Sequence, residues 1–467
     1  MLDNRIFYDH EKQGFCGDFI PFYHDGVFHL FTIIGSDWWH LTTTDFVELK
    51  NHGVAISGIP EVTAQDRDIY TGSIFLDKGV FHMFYCGHNE DLLKEGKPSE
   101  VMLHATSQDL FTWERQTDVF LAPDETRYMR RGWRDGFVYY DEKNAEYRML
   151  ITGAMKHEHS KRWGCVALAT SQNLTDWQVQ DPFYAPYLYD AHECPDLFEM
   201  NGKYYLLFST FTRWWELHYR VSDSIDGPWQ TPKDDLLDNR SFYAAKTVTD
   251  GKKRYLVGWT ARRENEKDDG KYLWGGTLTV HEVTARADGT LALSPVSTVK
   301  QTFTKEVPLA LTPAFGEGIG EVVNENTFRL SSDGFLCAKV GESETDTYTL
   351  SCDIRLSENA SCGVLLRADT NVFEKWCMVE VDNRRGRLFF DHFGKFFWDQ
   401  FFDEARPLPK AETYHLEIIS KGSILLIYCN GVALSTRCYG FSGGEIGVFI
   451  NGGEGEIKNL SVKKADK

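Results

Sequence analysis

The chain has 467 residues, of which 42% are hydrophobic and 14% aromatic, which predicts a globular protein of two domains. Its formal net charge of −19 disfavours nucleic acid and anionic membranes as partners, because phosphate groups are bound by basic surfaces. Its 10 cysteines form no C-x-x-C pair, which favours buried thiols in a reducing compartment. No signal peptide or membrane-spanning run is visible, so we expect a cytoplasmic protein, although a chain trimmed of its signal would look the same.

An aromatic-rich strand preceded by a turn recurs along the first part of the chain. Its copies lie at residues 26–31, 79–85, 145–150, 202–208 and 253–258. Alternation of apolar and polar residues predicts one buried face for each copy. A spacing of roughly 50–65 residues is typical of propeller blades, so the repeat predicts a five-bladed β-propeller over residues 1–300.

A second motif follows four of these strands and consists of a hydroxyl residue, an acid or amide, and an apolar residue. Its copies lie at 43–46, 107–113, 171–177 and 222–229, and the last three end in Trp. The polar pair predicts an Asx-type turn, and the Trp is expected to close its blade against a neighbour. A single copy would fit an ordinary hairpin, whereas the series favours a repeat.

A third feature is the start of the strand that precedes each turn. These strands begin near Asp18, Gly72, Asp135, Glu193 and Tyr243. The innermost strands of a propeller face its central channel. We therefore expect Asp18, Asp135 and Glu193, from three different blades, to meet in one funnel.

From about residue 300 these motifs are absent. Residues 301–320 contain Pro and Gly and predict a linker, and residues 321–467 predict a β-sandwich domain built from short alternating strands. The seven predicted strands of that domain are 348–355, 362–367, 376–381, 388–390, 414–419, 424–428 and 444–450. Within the propeller, the polar segment 90–100 predicts a loop. The fold class is therefore all-β.

Glu193 and Asp18 are the candidates for proton transfer and nucleophilic attack. A leaving glycosidic oxygen needs a proton, and a carboxyl group in apolar or like-charged surroundings can deliver one near neutral pH. Asp18, in an apolar neighbourhood, would attack from across the sugar. Each residue has a structural alternative, since Glu193 fits a solvated turn and Asp18 fits a strand-end cap.

Asp135 follows Arg134, and an adjacent guanidinium keeps an Asp ionised. Such a carboxylate can hydrogen-bond to sugar hydroxyls and stabilise an oxocarbenium-like transition state. The alternative is a structural Arg–Asp pair.

Aromatic faces are expected to bind the sugar, although most Trp residues in a propeller belong to its core. The Trp residues at loop positions near the proposed funnel are Trp38, Trp39, Trp133, Trp214 and Trp215. His24, His40 and His192 show no metal-ligand spacing, so we expect no catalytic metal and no cofactor. The chain also lacks G-x-S-x-G, P-loop and G-x-G-x-x-G motifs.

Three acidic segments resemble the motifs of glycoside hydrolase family 32, and they occur in the same order. Residues 193–196 match its E-C-P-D motif fully, and residues 133–135 match its R-D-P motif except that Gly136 replaces the proline. Residues 17–21 stand in the place of its N-D-P-N-G motif and keep only the Asp. The resemblance implies a five-bladed propeller followed by a β-sandwich, and activity on β-fructofuranosides.

The resemblance also implies roles for individual residues. Asp18 would be the nucleophile, Asp135 the transition-state stabiliser and Glu193 the acid/base. Smaller matches at 70–73, 242–244 and 274–279 extend the likeness over most of the chain. The residues expected to contact substrate are Arg134, Trp38, Trp39, Ser73, Asp196, Tyr243 and Trp274.

The altered segment 17–21 leaves several functions open. A retaining β-fructofuranosidase acting on an oligo- or polysaccharide is the first hypothesis. A fructosyltransferase, an enzyme acting on a fructose dianhydride or another furanoside, an inverting arabinofuranosidase related to family 43, and an inactive carbohydrate-binding propeller are the alternatives. We expect a monomer or a homodimer.

Overall fold

The computed structural model describes residues 5–10, 14–156, 161–368, 376–393, 404–440 and 444–465. Their contacts divide the chain into two compact units. Unit 1 comprises Met1–Leu236, Phe242–Trp259 and Trp274–Thr290, and unit 2 comprises Leu237–Ser241, Thr260–Leu273 and Leu291–Lys467. The predicted boundaries of 1–300, 301–320 and 321–467 stay predictions.

Antiparallel sheets in which each strand pairs with the next one along the chain form the propeller. The first sheet contains β1 (Gly17–His24), β2 (Val27–Ile34), β3 (Asp37–Thr43) and β4 (Lys50–Ser57). The second contains β5 (Asp68–Asp77), β6 (Val80–His88), β7 (Glu100–Ser107) and β8 (Glu114–Leu121). The third contains β9 (Arg134–Asp141), β10 (Glu146–Ala154), β11 (Gly164–Ser171) and β12 (Gln178–Val179).

The fourth sheet contains β13 (Glu193–Met200), β14 (Lys203–Thr210) and β15 (Glu216–Ser222). The fifth is built on β16 (Phe242–Thr249), β17 (Arg254–Arg263) and β18 (Tyr272–Ala285). These five sheets confirm the predicted five-bladed propeller. The predicted loop 90–100 instead contains a short 3-10 helix, Glu90–Glu95, because Asn89 caps it by accepting a hydrogen bond from the Asp91 amide.

The second motif forms the predicted turns. In the second blade, the Ser107 hydroxyl accepts hydrogen bonds from the amides of Asp109 and Leu110, at 3.1 and 2.9 Å. The Asp109 carboxylate then accepts from the amides of Phe111 and Thr112, at 2.8 and 2.7 Å. Side chains thus satisfy four backbone donors that no strand partner reaches, which is the reason that this residue pattern recurs.

The Trp residue that ends each motif packs against the preceding blade, as predicted. Trp113 meets Phe31 of the first blade edge to face, with ring centroids 6.0 Å apart. Trp177 meets Phe84 of the second blade in the same geometry at 5.6 Å. Hydrophobic clusters therefore lie between neighbouring sheets and hold the blades side by side.

A β-bulge interrupts the innermost strand of several blades near its start. In β1, Gly17 pairs with Ile33 and Ile20 with Phe31, so two residues oppose one. Equivalent register shifts occur after Arg134 in β9, after Glu193 in β13 and after Tyr70 in β5. Non-glycine residues in these bulges take positive φ, with values of 33° at Asp18, 61° at Asp135 and 50° at Cys194. A bulge re-aims side chains that a regular strand would send to alternate faces.

Unit 2 contains one large antiparallel sheet with a continuous buried core. The large sheet contains β20 (Phe303–Glu306), β21 (Thr312–Gly316), β22 (Ile319–Asn324), β23 (Thr327–Glu342), β24 (Tyr348–Leu356), β25 (Ser361–Ala368), β26 (Trp376–Asp382), β27 (Arg387–Phe393), β28 (Glu404–Pro407), β29 (Tyr414–Lys421), β30 (Ile424–Cys429), β31 (Val432–Arg437) and β32 (Glu445–Ala465). The strand β19 (Leu291–Pro295) and the helix α1 (Ser297–Gln301) precede it in the chain. All seven predicted strands are present, which confirms the β-sandwich prediction. Within the described residues, no helix has the length and apolar character needed to span a membrane.

Candidate active site

The bulged ends of the innermost strands line a cavity of about 650 Å³ in unit 1. Five carboxyl groups face it, and these belong to Asp18, Asp68, Glu100, Asp135 and Glu193. The predicted meeting of Asp18, Asp135 and Glu193 from three blades is therefore found. Acids converge here because each innermost strand contributes its first residues to the same end of the channel.

Glu193 has a hydrogen-bond donor on each carboxylate oxygen. The Arg134 guanidinium donates to Oε1 at 2.5 Å, and the Tyr243 hydroxyl donates to Oε2 at 2.6 Å. A proton placed on either oxygen of Glu193 would therefore meet a donor that is already in place. Protonation of Glu193 thus needs Arg134 to move or the Tyr243 hydroxyl to turn.

Arg134 is the cation on which this group of acids depends. Besides Glu193, its guanidinium lies 3.4 Å from Glu100 Oε1 and 3.8 Å from Asp135 Oδ2. Burial acts to lower the pKa of Arg134, but the charges of Glu193, Glu100 and Asp135 outweigh burial and raise it well above its ordinary value. Arg134 is therefore a permanent positive charge among three carboxylates.

Asp135 is fixed by donors from two neighbouring strands. Its Oδ2 accepts hydrogen bonds from the Thr152 hydroxyl at 2.9 Å and from the Cys194 amide at 3.0 Å. The second of these bonds is available because the bulge after Glu193 turns the Cys194 amide away from its own sheet ladder. The bulge after Glu193 thus supplies a hydrogen bond to Asp135, and it lies at the start of the strand that carries Glu193.

Asp18 lies deep in the cavity beside an aromatic wall. Its Oδ1 accepts a hydrogen bond from the Trp259 indole at 3.0 Å. Burial and the nearby charge of Asp135 raise the pKa of Asp18 to about 7, even though the Trp259 hydrogen bond acts in the opposite direction. The environment of Asp18 therefore favours its neutral carboxyl form.

Trp274 takes space that a side chain at position 17 would need. Gly17 lies directly beneath its indole, and a Cβ added there would overlap the six-membered ring. Trp274 lines the cavity, and its ring meets Trp259 at a centroid distance of 6.3 Å. The glycine that replaces the family's Asn thus makes room for an aromatic face.

Six of the ten predicted site residues line this cavity, and these are Asp18, Arg134, Asp135, Glu193, Tyr243 and Trp274. The predicted sugar contacts of Trp38, Ser73 and Asp196 are wrong, because these side chains are buried in packing or blade-to-blade hydrogen bonds. Trp38 donates to the Tyr70 carbonyl at 3.0 Å, Ser73 accepts from the Val138 amide at 3.0 Å, and Asp196 accepts from the Thr247 amide at 2.6 Å. Each of these bonds joins two neighbouring blades.

The remaining Trp residues lie in different places: some pack in the interior, one is at the surface and one extends the aromatic wall of the cavity. Trp39 packs against His10 at a ring distance of 4.5 Å and is not among the residues that line the cavity, so its predicted sugar contact stays a prediction. Trp133 is fully buried, and Trp214 is 56% exposed. Trp215 continues the aromatic wall, with its ring 5.4 Å from that of Trp259.

Glu100 and Trp259 are site residues that sequence reasoning missed. Glu100 is buried, and its Oε2 accepts hydrogen bonds from the amides of Gly132 and Trp133, the latter at 2.9 Å. It thereby holds the backbone just before Arg134. The available signal for Glu100 was an acid at the junction between a polar segment and an apolar strand, whereas Trp259 gave no local signal.

This cavity has the residues for acid–base and nucleophilic chemistry on a glycosidic bond, on a five-bladed propeller. Residues 16–295 match the model of the glycosyl hydrolases family 32 N-terminal domain, and this chain belongs to that family. The resemblance inferred from the three acidic motifs is thereby confirmed.

Among curated relatives, the sucrose-6-phosphate hydrolase of Vibrio alginolyticus is 26% identical over 64% of this chain and 63% of its own length. That of Escherichia coli is 25% identical over 56% of this chain and 55% of its own length. The levanbiose-producing levanase of Bacillus subtilis is 25% identical over 74% of this chain and 67% of its own length. The chain thus matches less than two thirds of the first two relatives.

Solved structures share the fold over the whole chain. Fructan 1-exohydrolase IIa from Cichorium intybus superposes with a TM-score of 0.73 at 15% identity, covering 97% of this chain and 96% of that one. Exo-inulinase from Aspergillus awamori gives a TM-score of 0.73 at 17% identity, covering 100% of this chain and 99% of that one. At such identities the likeness establishes the fold.

Replacing Asp18 by Asn should change how stability depends on pH. A carboxyl group with a raised pKa keeps its proton in the folded state while the unfolded chain releases it, so stability falls as pH rises from about 4 to about 7. Asn does not ionise and avoids this loss. Relative to the unaltered chain, the variant should gain about 2–4 kcal/mol between pH ~4 and ~8, measured by denaturant unfolding.

The matched control is Asp333→Asn, an exposed position of unit 2, measured over the same pH range. A stability difference for Asp18→Asn that stays constant across this range would contradict the raised pKa.

Replacing Glu100 by Gln should lower both turnover and stability. Glutamine has one acceptor oxygen, so its NH2 group must face either Arg134 or the amides of Gly132 and Trp133, all of which are donors. Breaking a buried ion pair on one side costs about 3–5 kcal/mol of stability. We expect at least a roughly tenfold loss of turnover, measured together with thermal unfolding. The exposed Glu114→Gln is the control, and unchanged turnover in Glu100→Gln would show that Arg134 does not need Glu100.

Proposed function

We propose that the protein is a retaining glycoside hydrolase that cleaves β-fructofuranosidic linkages in sucrose, fructo-oligosaccharides or fructan. The observation that carries this proposal is the convergence of Asp18, Asp135 and Glu193 in one cavity. Membership of family 32 supports the reaction class, and the activities named for its relatives support the substrate class. A monomer or homodimer in the cytoplasm stays a prediction.

In the first step Asp18 attacks the anomeric carbon while Glu193 protonates the leaving oxygen. This step needs one proton on the pair, carried by Glu193, whereas burial and the charge of Asp135 raise the pKa of Asp18 to about 7 in the free protein, so that below this pH Asp18 holds a proton. Sugar binding between the two carboxyl groups must therefore accompany transfer of the proton to Glu193. Such a shift makes the reactive protonation state depend on a correctly bound substrate.

In the second step a water activated by Glu193 releases the sugar from Asp18. The two oxygens of Glu193 already accept hydrogen bonds from Arg134 and Tyr243, and the carboxylate needed here can keep both. Asp135, held by Thr152 and Cys194, offers carboxyl oxygens that can accept hydrogen bonds from sugar hydroxyls while positive charge develops on the ring. A transferase would use a sugar hydroxyl in place of the water.

The charge of the cavity favours a neutral saccharide over a phosphorylated one. Among the described residues that line it, the basic side chains are Arg134 and His88, against five acids. Arg134 is already engaged by Glu193 and Glu100. A sugar phosphate would bring negative charge close to carboxylates whose guanidinium partner is already engaged, which costs binding energy.

Glu193→Gln tests the proposed catalysis. Removing a general acid/base costs about 10²–10⁴-fold in rate, and we expect the variant to lose turnover to this extent. Glu199→Gln, an exposed position on the same strand, should keep full activity. Turnover is measured as released sugar from sucrose, inulin, levan, a fructose dianhydride and an aryl arabinofuranoside.

The same assay separates the alternatives. No turnover in the unaltered chain would indicate a carbohydrate-binding propeller. Cleavage of the arabinofuranoside alone, with an inverted anomer seen by NMR, would indicate the family 43-like reading. Sugar transferred to a second saccharide would indicate a fructosyltransferase.

Trp274→Ala should weaken substrate binding more than it slows chemistry. The indole offers an apolar face to the cavity and touches neither carboxyl group of the proposed pair through a hydrogen bond, so its loss removes contact area. We expect about a tenfold rise in KM, equal to ~1.4 kcal/mol, with a smaller change in kcat. Trp214→Ala, which lies outside the cavity lining, is the control, and an equal loss in both variants would contradict a role for Trp274 in binding.

A further inference from the structure

Three buried side chains with metal-binding atoms converge inside unit 2. Cys377 lies on β26 directly opposite His392 on β27, and Cys438 follows the end of β31. Each of the three is at most 3% exposed. One donor atom from each residue lies within 4.8 Å of the other two, and this is the one such group found among the described residues.

We propose that Cys377, His392 and Cys438 bind one Zn²⁺ ion, or a similar divalent transition metal. The site is separate from the carboxylate cavity and belongs entirely to the residues of unit 2. Two thiolates and an imidazole form a donor set that zinc prefers, with the fourth position left to water or another small ligand.

The distance between the two sulfurs fits this assignment. Their Sγ atoms are 3.1 Å apart, which is well beyond a disulfide bond of ~2.05 Å. Two sulfurs on a tetrahedral zinc, each at ~2.3 Å from the metal, are ~3.8 Å apart. The sulfurs would therefore separate by less than 1 Å to accept the ion, which small side-chain rotations provide.

Asp268 lies near His392 and also binds the backbone that follows Cys438. Its Oδ1 lies 3.7 Å from Nε2 of His392, just beyond hydrogen-bond distance, so a small movement would let the carboxylate orient the imidazole while Nδ1 binds the metal. The same carboxylate accepts hydrogen bonds from the amides of Tyr439 and Gly440, at 2.8 and 2.9 Å. Asp268 thus fixes the chain immediately after Cys438 as well as facing His392.

A route for a metal ion is present at Cys438. A cavity of about 650 Å³ within unit 2 is lined by Cys438, Arg367 and Tyr439. The cysteine therefore forms part of a cavity wall, although its own exposure is only 1%. An entry path of this kind is required for a site whose donors are otherwise enclosed by protein.

The experiment measures metal bound to the full chain, purified under reducing conditions and exposed to Zn²⁺ followed by desalting. We expect about one zinc per chain by mass spectrometric metal analysis. Cobalt substitution should give a sulfur-to-metal charge-transfer absorption, which reports thiolate ligation directly. Cys377→Ser and Cys438→Ser should lose both signals, whereas Cys429→Ser, a fully buried cysteine outside the group, should keep them.

Asp268→Asn gives a graded result that leaves all three ligands in place. Loss of a supporting carboxylate weakens metal binding about 10–100-fold, measured by competition with a chromophoric chelator. Zinc should also raise the unfolding temperature of the unaltered chain, and a chelator should reverse that rise.

Two results would overturn the proposal. One is a reduced, folded, unaltered chain that binds no zinc or cobalt. The other is zinc binding by Cys377→Ser and Cys438→Ser equal to that of Cys429→Ser. If a Ser variant fails to fold, the cobalt spectrum of the unaltered chain still decides the question.

Discussion

The bulge at the start of the innermost strands is the constraint on which the candidate active site depends. A regular strand sends successive side chains to opposite faces, and neither face of a propeller blade is the channel. Inserting an extra residue turns Asp18 and Asp135 toward the axis and frees the Cys194 amide. Positive φ at these positions costs free energy in a non-glycine residue, and the surrounding blades hold it in place.

The electrostatics of the cavity follow from this geometry. Acids brought to one axis repel one another, and burial adds to the cost of their ionisation. Arg134 offsets this cost for Glu193, Glu100 and Asp135, while Asp18 accepts a hydrogen bond from the Trp259 indole. The two carboxyl groups of the proposed pair therefore lie in unlike surroundings, which is the arrangement that lets an acid and a base work together.

The departures from the family's first motif change the aromatic wall of the cavity and leave its three carboxyl groups in place. Gly17 admits the ring of Trp274, and that ring continues an aromatic surface through Trp259 and Trp215. A polar amide has thus been exchanged for an apolar face next to the proposed nucleophile. Such an exchange alters which sugar is held while leaving the carboxylates in position, because the bulge rather than residue 17 aims Asp18.

The sequence by itself determined the propeller, the β-sandwich and the three acids, because their signals are local. Strand alternation and the Ser-x-Asp turns are satisfied within about ten residues, so they recur visibly in each blade. The tertiary structure alone decided which polar residues serve the cavity and which join the blades. Asp18 meets Trp259 across 241 residues, and Glu100 reaches Arg134 from the neighbouring blade. Ser73 and Asp196 instead form hydrogen bonds between blades, and Trp38 is buried in the core. Contacts of this kind exist only once the ring of blades has closed, and no local pattern encodes them.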